Sequence, residues 1–290
     1  MLSGARAFWV YLLLAGCGEP AQLVVVSDEC PDDDLKIYPE ACGCGVAEQR
    51  CLPLKQALVH RYAFDGSGVV ARDDVGGADG QIINAALTGS GELSLERGLE
   101  QYVELPNGIV SVLSSATFEV WVVWAAPEAD QFWERIFDFG VSTAGEDLRA
   151  FGQSYIFLAP AMFRTAYKNL ATSAEILIDA RDPFPVESVA HVAVVVDELA
   201  HELRLYLNAV EQGRVTLDQP LAAIQDVNNW LGRSQFAVDT RFGGSFQEFR
   251  IYDAALGAEQ LTDSLSFGPS PAFLSLPAAP ALQEASEAGP

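Results

Sequence analysis

Basic residues are scarce in this chain of 290 residues. It has 17 Lys and Arg against 40 Asp and Glu, which gives a formal net charge of −23 and a pI near 4.3. Nucleic-acid binding depends on clustered positive charge at the phosphates, so this balance argues against a nucleic-acid partner. It argues equally against electrostatic docking on an anionic lipid surface. The acidity is typical of a soluble exported surface, with a hard cation such as Ca²⁺ held by some of the carboxylates as the alternative.

Motifs of the common hydrolases are also missing from the sequence. The three histidines, His60, His191 and His201, form no HExxH pair, and His60 and His191 are predicted to be ordinary strand residues. There is no Gly-x-Ser-x-Gly turn and no glycine-rich loop for phosphate. The sequence therefore proposes no catalytic residue, and we expect a protein that is not an enzyme.

The N-terminal region has no apolar run of the ~20 residues that a membrane span needs. Residues 1–16 hold a basic residue and a short apolar run, the pattern of a secretory signal peptide. Residues 14–17, Leu-Ala-Gly-Cys, resemble the bacterial lipobox, which implies that Cys17 becomes a lipid-bearing N-terminus that anchors stably in a membrane. We therefore expect a lipid-anchored protein of the bacterial cell envelope, and Gly18 favours the outer membrane or cell surface over the inner membrane. An ordinary signal peptide with an incidental cysteine is the alternative.

Four further cysteines, Cys30, Cys42, Cys44 and Cys51, lie in the predicted tether over residues 17–57. An even number of cysteines in an exported protein predicts two disulfide bonds, with three possible connectivities. Cys42 and Cys44 are too close to pair comfortably with each other, so each is expected to reach Cys30 or Cys51. A zinc site is the alternative, although the segment lacks His and Cys-x-Cys is poor spacing for a tetrahedral site.

Alternation of apolar and polar residues dominates the chain beyond the tether. Residues 202–217 alternate on both sides of Asn208-Ala209, which predicts a β-hairpin, and the β-branched run 191–197 precedes it as a third strand. A dozen short strands at near-regular spacing, punctuated by glycine, predict an all-β fold over residues 58–266. The expected architecture is an antiparallel two-sheet jelly-roll sandwich.

The C-terminal region shows two other patterns. Residues 254–264 carry leucines on one helical face and predict one short C-terminal helix. Residues 267–290 are rich in Pro, Ala, Ser and Glu and are predicted to form a disordered tail.

Seven segments of the predicted sandwich resemble, in order and spacing, a laminin-G-like domain of the concanavalin A-like lectin/glucanase superfamily. They are LVHRYAFDG, QYVELP, FEVWVVW, RIFDFG, LRLYLNA, NWLGRS and FRIYDAALGAEQL. The resemblance covers roughly residues 58–266 and implies the same jelly-roll fold. One departure is the hairpin turn, where Asn208-Ala209 stands in place of the usual Asn-Gly, so we expect its geometry to differ.

The resemblance also implies one structural Ca²⁺ between the opening loop and the closing strand, bound by oxygen ligands. Asp73 in the opening loop and Gln247 in the closing strand are the candidate ligands. Gln247 supplies only a neutral oxygen where members of the family carry a carboxylate.

Residues in the predicted loops are candidates for a ligand site. Trp133 lies in a polar loop, where its indole is suited to stacking on a sugar ring or a protein partner. Arg164 and Tyr167 lie in a second segment without a regular pattern and are expected to join it, as binding residues on sandwich loops commonly do.

The same fold hosts glycoside hydrolases, which need two opposed carboxyl groups. The resemblance implies that catalytic members carry both on one strand as Glu-x-Asp-x-x-Glu, and this string does not occur in the sequence. Glu134 and Asp138 are among the nearest acids, and they lack that spacing. We therefore expect a surface-anchored, non-catalytic binding or adhesion module for a glycan or a protein. A structural envelope or assembly protein is the alternative, and a glycoside hydrolase is the third reading.

Overall fold

The structure of the protein is a computed structural model that describes residues 28–126, 133–172 and 174–275. The chain divides into two compact units, of which the described parts are residues 28–55 with 271–275 and residues 56–270. The predicted signal peptide, the lipidation site Cys17 and most of the predicted tail lie outside the described residues. Among the described helices, none combines the length and the apolar character of a membrane span.

Two disulfide bonds, Cys30–Cys44 and Cys42–Cys51, hold the first unit. They confirm the prediction of two bonds and select one of the two pairings that the spacing of Cys42 and Cys44 left open. All four sulfur atoms are used in these bonds, so the zinc alternative has no thiolate ligands in this unit.

Helix α1, Glu48–Ala57, is a feature that the sequence pattern did not predict. Cys51 and Leu54 are its buried residues, while Glu48 in the first turn and Lys55 in the last turn suit the helix dipole. Its apolar positions are too few to produce a clear helical pattern in the sequence.

The second unit is built from two larger antiparallel sheets and one small one, with strands numbered along the chain. The first sheet has seven strands, in spatial order β1 (Leu58–Tyr62), β17 (Gly244–Tyr252), β8 (Ala116–Trp124), β13 (Val189–Asp197), β14 (Glu202–Leu207) and β15 (Val210–Thr216), with β6 (Leu93–Leu95) also paired to β17. The second sheet has eight strands, in spatial order β12 (Ile176–Asp179), β11 (Arg164–Lys168), β10 (Gly152–Ala159), β9 (Phe137–Ser142), β16 (Asn228–Leu231), β7 (Tyr102–Leu105), β4 (Gly80–Ile83) and β3 (Val70–Ala71). A two-stranded sheet of β2 (Ser67–Gly68) and β5 (Leu87–Thr88), helix α2 (Ala258–Phe267) and 3-10 turns at Arg97–Leu99 and Leu221–Ala223 complete this unit.

The hydrophobic core of this unit lies between the two larger sheets. Phe118 of β8 packs against Phe137 and Phe139 of β9, with ring centres 5.4 and 5.5 Å apart. Alternate residues of each strand point into this layer, as the period-2 pattern predicts. The predicted antiparallel two-sheet sandwich is therefore confirmed.

Element boundaries differ from the sequence predictions at three places. Residues 164–168 form strand β11 instead of an irregular segment, because each side of the strand is paired, with β10 and with β12. Helix α2 begins at Ala258, four residues later than predicted, after Gly257 at its N-cap. The described part of the predicted tail contains a 3-10 turn, Ala272–Ser275, in which Phe273 is buried.

The hairpin turn between β14 and β15 keeps the backbone of an Asn-Gly turn. Asn208 has φ +48° and Ala209 has φ +62°, the pair of left-handed values that a type I′ turn requires. The expectation of a different geometry is therefore wrong. Tertiary pairing of the two strands overrides the local preference of alanine.

Candidate functional site

One row of side chains crosses the outer face of the eight-stranded sheet, the face that points away from the core. The strand register aligns Val70, Gln81, Glu104, Trp230, Asp138, Phe157, Ala166 and Leu177. Their chain neighbours, such as Phe139 and Ile156, point into the core instead. Each strand can therefore place both core residues and surface-site residues by simple alternation.

A recess of about 400 Å³ opens at the β10 and β11 end of this face. It is lined by Trp133, Arg135, Phe157, Arg164, Glu175, Phe236, Val238 and Asp239. Two of the three predicted ligand-binding residues, Trp133 and Arg164, therefore meet here although they are 31 positions apart in the chain.

Trp133 is the exposed aromatic residue of the recess, with 38% of its surface accessible. The guanidinium carbons of Arg135 and Arg164 each lie 5.5 Å from the centre of its ring. Cations at this distance interact favourably with an indole face and restrict where the ring can move. The exposed part of the indole is an apolar plate bordered by hydrogen-bonding groups.

The residue after Trp133 anchors it. The carboxylate of Glu134 is buried and accepts hydrogen bonds from Nε of Arg97 over 2.7 Å, the backbone nitrogen of Gly243 over 2.9 Å and Nε1 of Trp124 over 3.2 Å. Burial nevertheless raises the pKa of Glu134, against the lowering effect of Arg97. Glu134 is buried and Trp133 is exposed, so the anchored carboxylate fixes the backbone that carries the indole.

Arg135 forms the floor of the recess together with Phe157. Its guanidinium carbon lies 4.0 Å from the centre of the Phe157 ring, and the side chain is almost completely buried. Nη1 donates to the backbone oxygen of Trp133 over 2.9 Å, and Nη2 lies 3.1 Å from Oδ2 of Asp239. The guanidinium therefore connects the backbone of Trp133 to Asp239 on the opposite wall of the recess.

The opposite wall is the loop that follows β16. Gly232, with φ +83°, turns the chain out of the strand, which explains why the strand ends at Leu231. Arg149 then holds the loop by donating from Nη2 to the backbone oxygens of Phe236, over 2.6 Å, and Asp239, over 2.5 Å. Burial and two neighbouring arginines lower the pKa of Arg149 to about 10, which still leaves it charged at neutral pH.

Asp138 lies beneath the recess and is fully buried. Its Oδ2 accepts a hydrogen bond from the backbone nitrogen of Gln235 over 3.0 Å and lies 3.7 Å from Nε of Arg135. Oδ1 has no hydrogen-bond partner among the described residues. Burial raises the pKa of Asp138 to about 7, despite the lowering effect of Arg135.

Arg164 and Tyr167 point to opposite sides of β11. Arg164 forms a bidentate ion pair with Asp179, with Nε and Nη2 at 2.6 and 2.9 Å from the two carboxylate oxygens. Tyr167 is buried in the core, where its hydroxyl donates to the backbone oxygen of Pro220 over 2.8 Å. The expectation that Tyr167 joins Trp133 and Arg164 is not met, because an odd spacing places residues on opposite faces of a strand.

Asp73, one of the two candidate calcium ligands, is surrounded by nitrogen. Its carboxylate contacts the backbone nitrogens of Arg61, Val75, Gly76 and Ala78 and Nδ1 of His60, at 2.7–3.1 Å. Burial would raise the pKa of Asp73, but these hydrogen bonds outweigh it and hold the pKa well below its usual range. Calcium requires oxygen ligands with free lone pairs, and this carboxylate has already committed its lone pairs to N–H donors.

The junction between the opening loop and the closing strand is linked by an arginine. Arg61 donates from Nε and Nη2 to the two carboxylate oxygens of Glu248, over 2.9 and 3.0 Å, and from Nη1 to Asp74 over 3.0 Å. The irregular register between Phe246 and Glu248 places Gln247 outside this contact. A guanidinium group therefore bridges the loop and the strand, and Asp73 and Gln247 do not fit the calcium site that the resemblance implies.

Sequence reasoning missed Arg135, Phe157, Phe236 and Asp239. Each lies in a strand pattern or beside one, where it looks like an ordinary core or turn residue. The register that brings β9, β10 and the loop after β16 together is a long-range property, so no local signal marks these residues.

Three of the solved structures with a similar fold belong to an arabinanase and to two sialidases. Domain 4 of AbnA, a GH43 extracellular arabinanase from Geobacillus stearothermophilus in complex with arabinotriose, is 20% identical, with a TM-score of 0.49 over 71% of this chain and 97% of its own. The CBM40 of Ruminococcus gnavus IT-sialidase bound to α2,3-sialyllactose is 15% identical, with a TM-score of 0.45 over 56% of this chain and 94% of its own. Trypanosoma rangeli sialidase is 12% identical, with a TM-score of 0.52 over 76% of this chain and 33% of its own. At these identities the sialidase supports the fold alone.

The family is shown by a sequence model. No curated protein matches the chain. The Laminin_G_3 model of the concanavalin A-like lectin/glucanases superfamily matches residues 97–262, more than half of the chain and most of the two-sheet unit. The chain therefore belongs to the concanavalin A-like lectin/glucanase superfamily.

Proposed function

We propose that this chain is a non-catalytic glycan-binding module, held at the bacterial cell surface by a lipid on Cys17, and that the recess around Trp133 is its sugar site. The observation that carries the proposal is the exposed indole of Trp133, which lines the recess with two guanidinium groups 5.5 Å from its ring centre. Membership of a superfamily that includes lectins supports a sugar as the ligand class.

A sugar ring has the two surfaces that this recess complements. Its C–H face is apolar and packs on an aromatic plate, and its rim of hydroxyl groups needs donors and acceptors. The carboxylates of Glu175 and Asp239 can accept from hydroxyl groups, while Arg164 can donate to them. The polar groups are already held in place by Asp179 and Arg149, so little ordering is needed when a sugar binds.

The non-catalytic part of the proposal rests on how the carboxylates are used. Asp179 is paired with Arg164, and Asp239 is paired with Arg135 and accepts the Ser234 hydroxyl over 2.6 Å. A glycosidase needs one carboxylate free to attack or activate water and one protonated acid facing it across the sugar. Incubation with β-glucans, arabinan and sialylated lactose should therefore release no reducing sugar or sialic acid, and release that depends on Glu175 or Asp239 would contradict this part.

Glycan-array binding of the exported chain tests the sugar site. We expect a positive signal that Trp133→Ala abolishes, since the variant deletes the apolar plate, and that Trp133→Phe retains in part. Leu199→Ala, at an exposed residue of the β13–β14 loop, is the control and should bind as the wild type does. An array without any signal, together with co-purification of a stable envelope partner, would favour a structural envelope protein instead.

The lipid anchor has a separate test. Growth with a labelled fatty acid in a bacterial host should label the exported chain, and Cys17→Ser should lose the label and leave the membrane fraction. A Cys17→Ser chain that stays in the membrane fraction would favour another mode of attachment.

A further inference from the structure

We infer that the Trp133 recess selects sugars that carry no carboxylate or sulfate. This inference rests on the proposed function and narrows its ligand class. It depends on how the charges in and around the recess are arranged.

Each guanidinium in the recess already has its counter-charge within the protein. Arg164 presents its fork to Asp179 in a bidentate pair, with both distances below 3.0 Å. Arg135 is held by Asp239 and by the Trp133 backbone oxygen. A bidentate pair uses the geometry with which arginine would otherwise recognise an anion, so an incoming carboxylate must first displace a carboxylate of the protein.

The charges in and against the recess are balanced. Three arginines, Arg135, Arg149 and Arg164, face three carboxylates, Glu175, Asp179 and Asp239, while Asp138, with its raised pKa, is only partly ionised at neutral pH. No surplus of positive charge is therefore offered to an anion, and the whole chain surrounds the recess with a negative field from its formal charge of −23. An anionic sugar would lose its water shell in a site where the field opposes it, whereas a neutral sugar would lose only hydroxyl hydration that the recess can replace.

Aromatic side chains provide the favourable contact with a sugar ring in this recess. The exposed plate of Trp133 and the half-buried ring of Phe236 offer contact to the C–H face of a pyranose or furanose ring. The carboxylates accept hydrogen bonds from hydroxyl groups, which neutral sugars carry in excess. The recess thus favours hydroxyl-rich, uncharged rings.

The test uses matched pairs of neutral and acidic sugars within a wider glycan array. Galactose and galacturonic acid differ by one carboxylate, and lactose and 3′-sialyllactose differ by one sialic acid residue. We expect the neutral members to bind at least about tenfold more tightly than their acidic counterparts at 0.15 M salt. Stronger binding of acidic members by the wild-type chain would overturn this inference and leave the proposed function standing. A chain that binds no glycan of either kind would overturn both.

A charge variant separates the recess from the net charge of the protein. Asp179→Asn frees the fork of Arg164, so the ratio of acidic to neutral binding should rise at least about tenfold. Asp218→Asn removes the same charge from the exposed loop after β15, where Asp218 faces His201, and should leave the ratio unchanged. Equal changes of the acidic-to-neutral binding ratio in the two variants would assign the selectivity to net charge and overturn the inference. Circular dichroism of both variants checks that they are folded.

Discussion

Arg61 of β1 and Glu248 of β17 form a buried bidentate ion pair, with nitrogen–oxygen distances of 2.9 and 3.0 Å. These two strands are neighbours in the seven-stranded sheet and are its first and last strands along the chain. The two residues are 187 positions apart, so the ion pair links the beginning of the two-sheet unit to its last strand. The ion pair lies at the junction where the family resemblance implies a calcium ion. The positive charge at this junction is supplied by the Arg61 side chain.

The thermal stability of the protein should therefore not depend on calcium. EDTA and about 5 mM CaCl₂ are expected to give the same melting temperature, because Asp73 is saturated by N–H donors and Arg61 neutralises Glu248. This concentration is about fivefold above the weakest dissociation constants of extracellular calcium modules, on the order of 10⁻³ M. Differential scanning fluorimetry checks this. A rise of several degrees with CaCl₂ that EDTA reverses would contradict it.

Removal of the Arg61 charge should be costly. Arg61→Met removes the bidentate partner of the buried Glu248 and leaves Arg250 as its remaining cation, which is expected to lower the free energy of unfolding by about 1.5–3 kcal/mol. Arg72→Met, at an exposed arginine of the opening loop that carries Asp73 and Asp74, is the matched control and should change the unfolding free energy by less than about 0.5 kcal/mol. Urea denaturation measures both, and equal losses would show that the pair has no special role.

The pH dependence of stability should include a component from Asp138. Burial raises its pKa to about 7, above the value near 3.9 of an unfolded aspartate, so the native state binds the proton more tightly. The contribution of Asp138 to stability is therefore full below about pH 4 and is lost as the pH rises through 7, by at most about 1.4 kcal/mol per pH unit.

Asp138→Asn removes that component because the amide is neutral at every pH and can still accept from the Gln235 backbone nitrogen. The groups that face Asp138 are Arg135 and Asp239, with Tyr155 on the neighbouring strand, and these remain in the variant. Urea midpoints of variant and wild type between pH 5 and pH 8 should diverge in favour of the variant as the pH rises. Parallel curves would show that Asp138 keeps an ordinary pKa.

Tyr167 and Arg164 should give opposite phenotypes. Tyr167→Phe removes the hydroxyl that donates to Pro220 and accepts from Asn169, at a cost of about 1–2 kcal/mol in unfolding free energy, with glycan binding unchanged. Arg164→Ala should weaken glycan binding with little loss of stability, because the pair with Asp179 is largely at the surface. Isothermal titration calorimetry measures glycan binding and urea denaturation measures stability in both variants. A binding defect in Tyr167→Phe would contradict the prediction and place the tyrosine in the site.

The hairpin turn is a place where stability can be gained. Ala209 adopts a left-handed φ that disfavours a side chain, so Ala209→Gly should stabilise the protein by about 0.5–1 kcal/mol. Ala200→Gly, in the neighbouring loop and outside the left-handed region, is the control and should be neutral or slightly destabilising. A destabilised Ala209→Gly variant would show that alanine fits this turn without strain.

The sandwich was predictable because its signal is repeated. Alternation in β8, β13 and β14 reports burial on one face of each strand, and many such segments agree with each other. Strand β11 was missed because Arg164, Thr165 and Lys168 hide the alternation, and its pairing with two neighbours is visible only in the folded chain.

The site was predictable only in part. An exposed tryptophan in a polar loop is a local signal, and it led to Trp133. The arginine stacked on Phe157 and the carboxylate of Asp239 depend on the register across β9, β10 and the loop after β16, which no local pattern contains. The direction of Tyr167 depends on the strand phase of β11, which requires that the strand be recognised first.

The recess draws its walls from five stretches of the chain, around Trp133, Phe157, Arg164, Glu175 and Phe236, which meet only in the folded sandwich. A sugar bound there would therefore bind the folded chain and not the unfolded one. Ligand binding should therefore raise the stability of the folded chain. A ligand concentration tenfold above the dissociation constant should add about 1.4 kcal/mol to the unfolding free energy. A melting-temperature screen against a polysaccharide library can therefore test the proposed sugar ligand without any prior guess at its structure.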